Sequence, residues 1–141
     1  MKPVDCSDET WIHWMRRALQ LAALAEGRTS SNPLVGAVVI DKNGGLVGEG
    51  FHSALGKPHA EVGALQQAGD KAKDGTLVVT LEPCCHQGRT PPCTDAVIGS
   101  GLKRVVVALE DPDPRVKGKG IALLREKGLE VVCGVLEKEA S

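Results

Sequence analysis

The chain has 141 residues and a mass of 14.8 kDa, which at roughly 100–200 residues per domain is a single domain. Apolar residues make up 42% and charged residues 25%, the composition of a globular protein and not of a disordered tail. The net charge of −1 supplies no overall attraction to nucleic acid or to an anionic membrane. Aromatic residues are only 2%, which argues against a platform for stacking bases. No apolar run approaches the ~20 residues of a membrane span. The opening MKPVDCSDET has no apolar stretch of the kind a secretory signal needs. Five cysteines without such a signal point to reduced thiols in the cytoplasm, serving metal or catalysis.

The first element is expected to be a helix. Trp11, Met15, Ala18, Ala22 and Ala25 step by helical turns along one face, with Asp8 as N-cap and Gly27 as stop. Val35–Ile40 reads as a buried strand, and Asn43-Gly44 as the turn of a hairpin that brings Leu46–Phe51 back antiparallel. Pro58 can open a helix that runs to Gly69. Strands follow at Thr76–Leu81, Arg104–Leu109 and Leu129–Val135. Helices are expected at Thr94–Ser100 and at Gly120–Lys127, the latter ended by Gly128. The hairpin gives one antiparallel pair, and strands alternating with helices imply parallel pairing thereafter. The expected architecture is α/β, a mixed five-stranded sheet with helices on both faces.

Two stretches carry chemistry: His59-Ala60-Glu61, and Pro83 to Cys93, PCCHQGRTPPC. One histidine and two cysteines suit zinc and leave a tetrahedral ion one position for water. His59 and Glu61 fall in the first turn of a predicted helix, where side chains lean toward its N-terminus. Cys93 precedes another helix, whose positive end favours the thiolate. Cys84 lies just past the carboxyl end of a strand, where open α/β sheets place their sites. Glu61 is the natural proton carrier between water, substrate nitrogen and leaving amine. H-x-E followed by P-C and a later Cys is the pattern of zinc nucleobase deaminases, in which the glutamate is not a ligand. Here eight residues separate Cys84 from Cys93, instead of the two of that pattern. A structural zinc knuckle built from Cys84, Cys85, His86 and Cys93 is the non-catalytic alternative.

The long gap resembles one branch. TLEPCCHQGRTPPC, from Thr80 to Cys93, is similar to the signature of the riboflavin-pathway pyrimidine deaminases, the deaminase half of bifunctional deaminase/reductases. The resemblance extends to Ser31–Gly36, Gly48–His52, His59–Val62, Asp111–Pro114 and Gly118–Gly120. It implies a three-layer α/β/α cytidine deaminase-like fold. The chain is expected to be a single deaminase domain over 1–141 without the family's reductase domain, either a stand-alone deaminase or a domain excised from a bifunctional enzyme. The resemblance implies one zinc ion held by His59, Cys84 and Cys93, with Glu61 as proton shuttle. Asn32, His52, His86 and Arg89 match substrate-holding positions, and Arg89 offers planar donors suited to phosphate. The implied substrate is 2,5-diamino-6-(ribosylamino)pyrimidin-4-one 5′-phosphate, deaminated to 5-amino-6-(ribosylamino)uracil 5′-phosphate. Other nucleobases or nucleosides (cytidine, guanine, tRNA adenosine) are the alternative substrates. The resemblance further implies a homo-oligomer with a small-molecule substrate, while charge and composition argue against a nucleic-acid or membrane partner. Cys85 stands where the family usually has a small polar residue. Val116–Gly120 lacks the spacing of a phosphate-binding loop and reads as a loop or helix start. No G-x-G-x-x-G follows a strand, so no nicotinamide site is expected. Cys133 lies in an apolar strand and reads as core.

Overall fold

A computed structural model describes residues 9–24, 35–51, 60–82, 93–110 and 118–136. Its helices are α1 (Glu9–Leu24), α2 (Ala60–Ala68), α3 (Cys93–Gly99) and α4 (Lys119–Glu126). Its strands are β1 (Gly36–Ile40), β2 (Leu46–Phe51), β3 (Thr76–Leu81), β4 (Arg104–Leu109) and β5 (Glu130–Cys133). A short 3₁₀ turn, Gly69–Ala72, continues α2 beyond the predicted helix end. Asp8, Ala25, Gly27 and Pro58 lie outside the described residues.

The five strands form one sheet in the order β2-β1-β3-β4-β5. β3, β4 and β5 are parallel, as strands separated by helices should be. The hairpin forms as expected, with β1 antiparallel to β2. The structure adds a second antiparallel pair, because β3 docks on the other side of β1. All five β1 residues are buried. A strand buried on both faces needs a neighbour on each edge to pair its backbone. β2 is mostly half-buried and takes the outer position. There its Glu49 amide donates to Gln67 Oε1 at 2.7 Å, and its carboxylate pairs with Arg17 of α1. Both contacts blunt an exposed sheet edge.

Side chains alternate between the two faces of the sheet. Ala37, Val39, Leu77, Val79, Val105 and Val107 pack with α2, α3 and α4 through Ala64, Leu65, Val97, Ile121 and Leu124. Val38, Ile40, Val78, Val106 and Val132 pack with α1 through Trp11, Met15, Ala18 and Leu21. The result is a three-layer α/β/α sandwich with, among the described residues, one long helix on one face and three shorter ones on the other. No described helix is long and apolar enough to cross a membrane.

Candidate metal and active site

The pairing registers fix which ends of the strands share an edge. Gly36, at the start of β1, stands opposite Phe51, the end of β2. Ala37 stands opposite Val79 near the end of β3, and Leu81 opposite Leu109 at the end of β4. The Gly36 amide also donates to Thr80 Oγ1 at 3.2 Å, tying the start of β1 to the end of β3. The start of β1 and the ends of β2, β3 and β4 therefore lie along one rim. α2 and α3 follow β2 and β3, so their N-termini return to that rim, and the two helices pack against each other.

The predicted site residues are sequence neighbours of this rim. Glu61 and the backbone of Cys93 are within the described residues. Asn32, His52, His59, Cys84, His86 and Arg89 lie outside them, as does the Cys93 side chain. His52 directly follows Phe51, His59 directly precedes the first residue of α2, and Cys84 comes two residues after Glu82. Glu61 is the second residue of α2 and is only 4% exposed, which is rare for a glutamate. The helix amides at that end offset part of the cost of its charge.

Two glycines hold α2 in place. A Cβ at Gly50 would stand 2.4 Å from the Ala60 carbonyl oxygen, and one at Gly48 would stand 2.2 Å from that of Ala64. Both approaches are impossible for any other residue, so the alternating glycines of β2 set how closely α2 lies on the sheet. Glu61 is the next residue after Ala60, and its position follows from that contact.

Two further residues were not singled out from sequence. Glu82 directly follows β3 and is also only 4% exposed. Its amide donates to the Leu109 carbonyl at 2.8 Å, extending the β3–β4 ladder. Its carboxylate accepts the Gly118 amide on Oε1 at 2.9 Å and the Ile121 amide on Oε2 at 3.1 Å. Gly118 is the N-cap of α4 and provides no side chain to cap it. Glu82 does so from another element, satisfying amides that a helix start leaves unpaired. The signal for it was an acid closing the apolar run TLVVTL immediately before Pro83. The other residue is Thr94, fully buried beside Cys93, with an Oγ1 that has no hydrogen-bond partner among the described residues.

The donor set next to this rim in sequence, one histidine and two cysteines, has the chemistry of a zinc site. Cys93 begins α3, where the helix dipole favours the thiolate that binds metal. The neighbouring residue in sequence, Thr94, supplies a buried hydroxyl with no partner among the described residues. Among the described residues alone, no group of three or more His, Cys, Asp or Glu is placed to hold a metal.

The chain's residues 8–109 match the family model described as the cytidine and deoxycytidylate deaminase zinc-binding region. It is 61% identical over 128 residues to the riboflavin biosynthesis protein RibD of Aquifex aeolicus, covering 91% of this chain and 36% of that protein. It is 50% identical over 127 residues to the diaminohydroxyphosphoribosylamino-pyrimidine deaminase of Buchnera aphidicola subsp. Schizaphis graminum, covering 90% of this chain and 86% of that protein. Among solved structures, Acinetobacter baumannii RibD superposes with a TM-score of 0.91 at 48% identity, over 94% of this chain and 37% of that one. The chain thus spans about a third of the RibD proteins it matches and most of the Buchnera deaminase. With a matching family model over most of its length and a half-identical relative of similar size, the chain belongs to the zinc-binding cytidine and deoxycytidylate deaminase family, in the branch of the diaminohydroxyphosphoribosylamino-pyrimidine deaminases.

Proposed function

We propose that the protein hydrolyses the 2-amino group of 2,5-diamino-6-(ribosylamino)pyrimidin-4-one 5′-phosphate, giving 5-amino-6-(ribosylamino)uracil 5′-phosphate and ammonia in riboflavin biosynthesis. The observation that carries this reading is the half-identical, near full-length match to the Buchnera deaminase, supported by a buried Glu61 in the first turn of α2. His59, Cys84 and Cys93 would hold zinc. When bound, zinc acts as a Lewis acid and lowers the pKa of water to near neutral.

Glu61 manages the protons. Its carboxylate takes one from the attacking water and delivers it to a ring nitrogen as the new C–O bond forms. It then takes the remaining proton from the added hydroxyl and gives it to the amine, so that the C=O bond forms as the C–N bond breaks and ammonia leaves. Burial of Glu61 removes competing solvent from this exchange. In this reading Arg89 holds the phosphate with paired donors, and Asn32, His52 and His86 hold the rest of the substrate. The same resemblance supports a homo-oligomer, a reading that a 14.8 kDa species in light scattering at micromolar concentration would remove, and the cysteine usage supports a reducing compartment such as the cytoplasm.

The test is turnover of the diaminopyrimidinone ribotide followed by mass spectrometry, with zinc measured on the same sample. The expected product carries O in place of NH, and ammonia appears in equal amount. Glu61→Gln is expected to keep its zinc and lose at least ~10²-fold in kcat. Full activity in that variant removes the proton-carrying role. No turnover by zinc-loaded wild type, with turnover of cytidine or deoxycytidylate instead, reassigns the substrate.

A further inference from the structure

We propose that Glu82 is a positioning residue for the metal centre, setting where the Cys84 thiolate stands by anchoring the end of β3 to the start of α4. The inference rests on the reading of Cys84 as a zinc ligand and adds the element that fixes it. At least three interactions hold Glu82 at once. Its amide is bonded to β4 through Leu109, and its two carboxylate oxygens each accept one amide at the start of α4. Backbone and side chain are therefore fixed independently, to two different elements, in a site almost closed to solvent.

Only Pro83 separates Glu82 from Cys84. Successive Cα atoms are about 3.8 Å apart, and the proline ring fixes its own φ and keeps Glu82 extended. An anchored Glu82 is thus joined to Cys84 through a single conformationally restricted residue, the covalent route by which the anchor acts on the ligand. Ligand-orienting groups outside the ligand set typically govern 10–100-fold in metal affinity. The pairing is directional as well. The carboxylate faces amide hydrogens at the positive end of α4, and each of its oxygens is used. A glutamine can accept at only one of them and presents N–H to the other amide.

The experiment measures zinc affinity by competition with a chromophoric chelator. It also records the absorption of the Co²⁺-substituted protein, whose thiolate charge-transfer and d–d bands report sulfur ligation. Glu82→Gln is expected to weaken zinc binding about 10–100-fold and to change the cobalt spectrum. Glu82→Asp, which keeps the charge and cannot span both amides, is expected to fall between wild type and Glu82→Gln, and it serves if Glu82→Gln fails to fold. Ala122→Gly is the control for a merely structural effect: Ala122 is exposed on α4, and glycine there weakens the helix without touching Glu82. It should lower the melting temperature and leave zinc affinity and the cobalt spectrum unchanged.

Wild-type affinity and spectrum in both Glu82 variants overturn the proposal. So does an equal loss of affinity in Ala122→Gly. Cys84→Ser separates the two levels of the argument. If it keeps wild-type zinc affinity, Cys84 is not a ligand, and the premise fails whatever the Glu82 variants do. If it loses zinc while the Glu82 variants behave as wild type, the ligand reading stands and the positioning role falls.

Discussion

Asp41 organises the hairpin turn through one carboxylate oxygen, which accepts the Gly45 amide at 2.8 Å and the Asn43 amide at 2.9 Å. Those donors, the Gly45 amide foremost, hold its carboxyl below the ordinary carboxylate range. A depressed pKa means that the folded state binds the proton less tightly than the unfolded chain. The stabilisation is present above the ordinary aspartate value of about 3.9 and is lost as pH falls through the lower folded value. Asp41→Asn should therefore lower the urea midpoint at neutral pH, and the gap from wild type should close on acidification. Burial pushes the Cys133 thiol up. It packs partly buried against the core, as an apolar strand residue should, and is expected to stay protonated and slow toward thiol reagents at neutral pH. Single residues differ in how far sequence exposes them. Glu61 was legible because its partner motif lies two residues away. Glu82 was not, because the amides it caps lie 36 and 39 residues later in the chain, and only the fold brings them together.

Among the elements, α2 on β2 matters most to the site. Gly50→Ala would place a methyl against the Ala60 carbonyl and force the helix away from the strand. Overpacking of this kind costs about 1–3 kcal/mol, readable as a shift in the urea midpoint. The displaced end of α2 carries Glu61, so kcat should fall as well, with the cobalt spectrum as a check on how far the metal site moves. An expressed, folded Gly50→Ala protein with wild-type stability and turnover would show that the contact is dispensable. The elements themselves were largely readable. α1 shows because Trp11, Met15 and Ala18 repeat at the helical period and all three are buried. The last strand was read too long. It ends at Cys133, and the chain turns through Gly134 and Leu136 at positive φ, a backbone state that apolar patterning does not reveal. The β1–β3 pairing was also hidden, because alternation of strands and helices says which way a strand runs relative to its predecessor and not which edge it joins.

At the scale of the whole molecule, the sheet has two unlike rims. One gathers the strand ends next to which the chemistry is written. The opposite rim holds the hairpin turn, the 3₁₀ turn and the starts of β3, β4 and β5, closed by hydrogen bonds such as Asp74 to Gly101 at 2.9 Å and Lys103 to Gly75 at 2.9 Å. That second rim also carries Lys42, Lys71, Lys73, Lys103 and Lys127, all exposed; of the described lysines only Lys119 stands elsewhere, at the start of α4. Reagents that couple through amines would thus find most of their described targets on the face turned away from the reaction. Among the described residues, a surface derivatised for amine coupling would meet the molecule mainly along the rim of the hairpin and 3₁₀ turns.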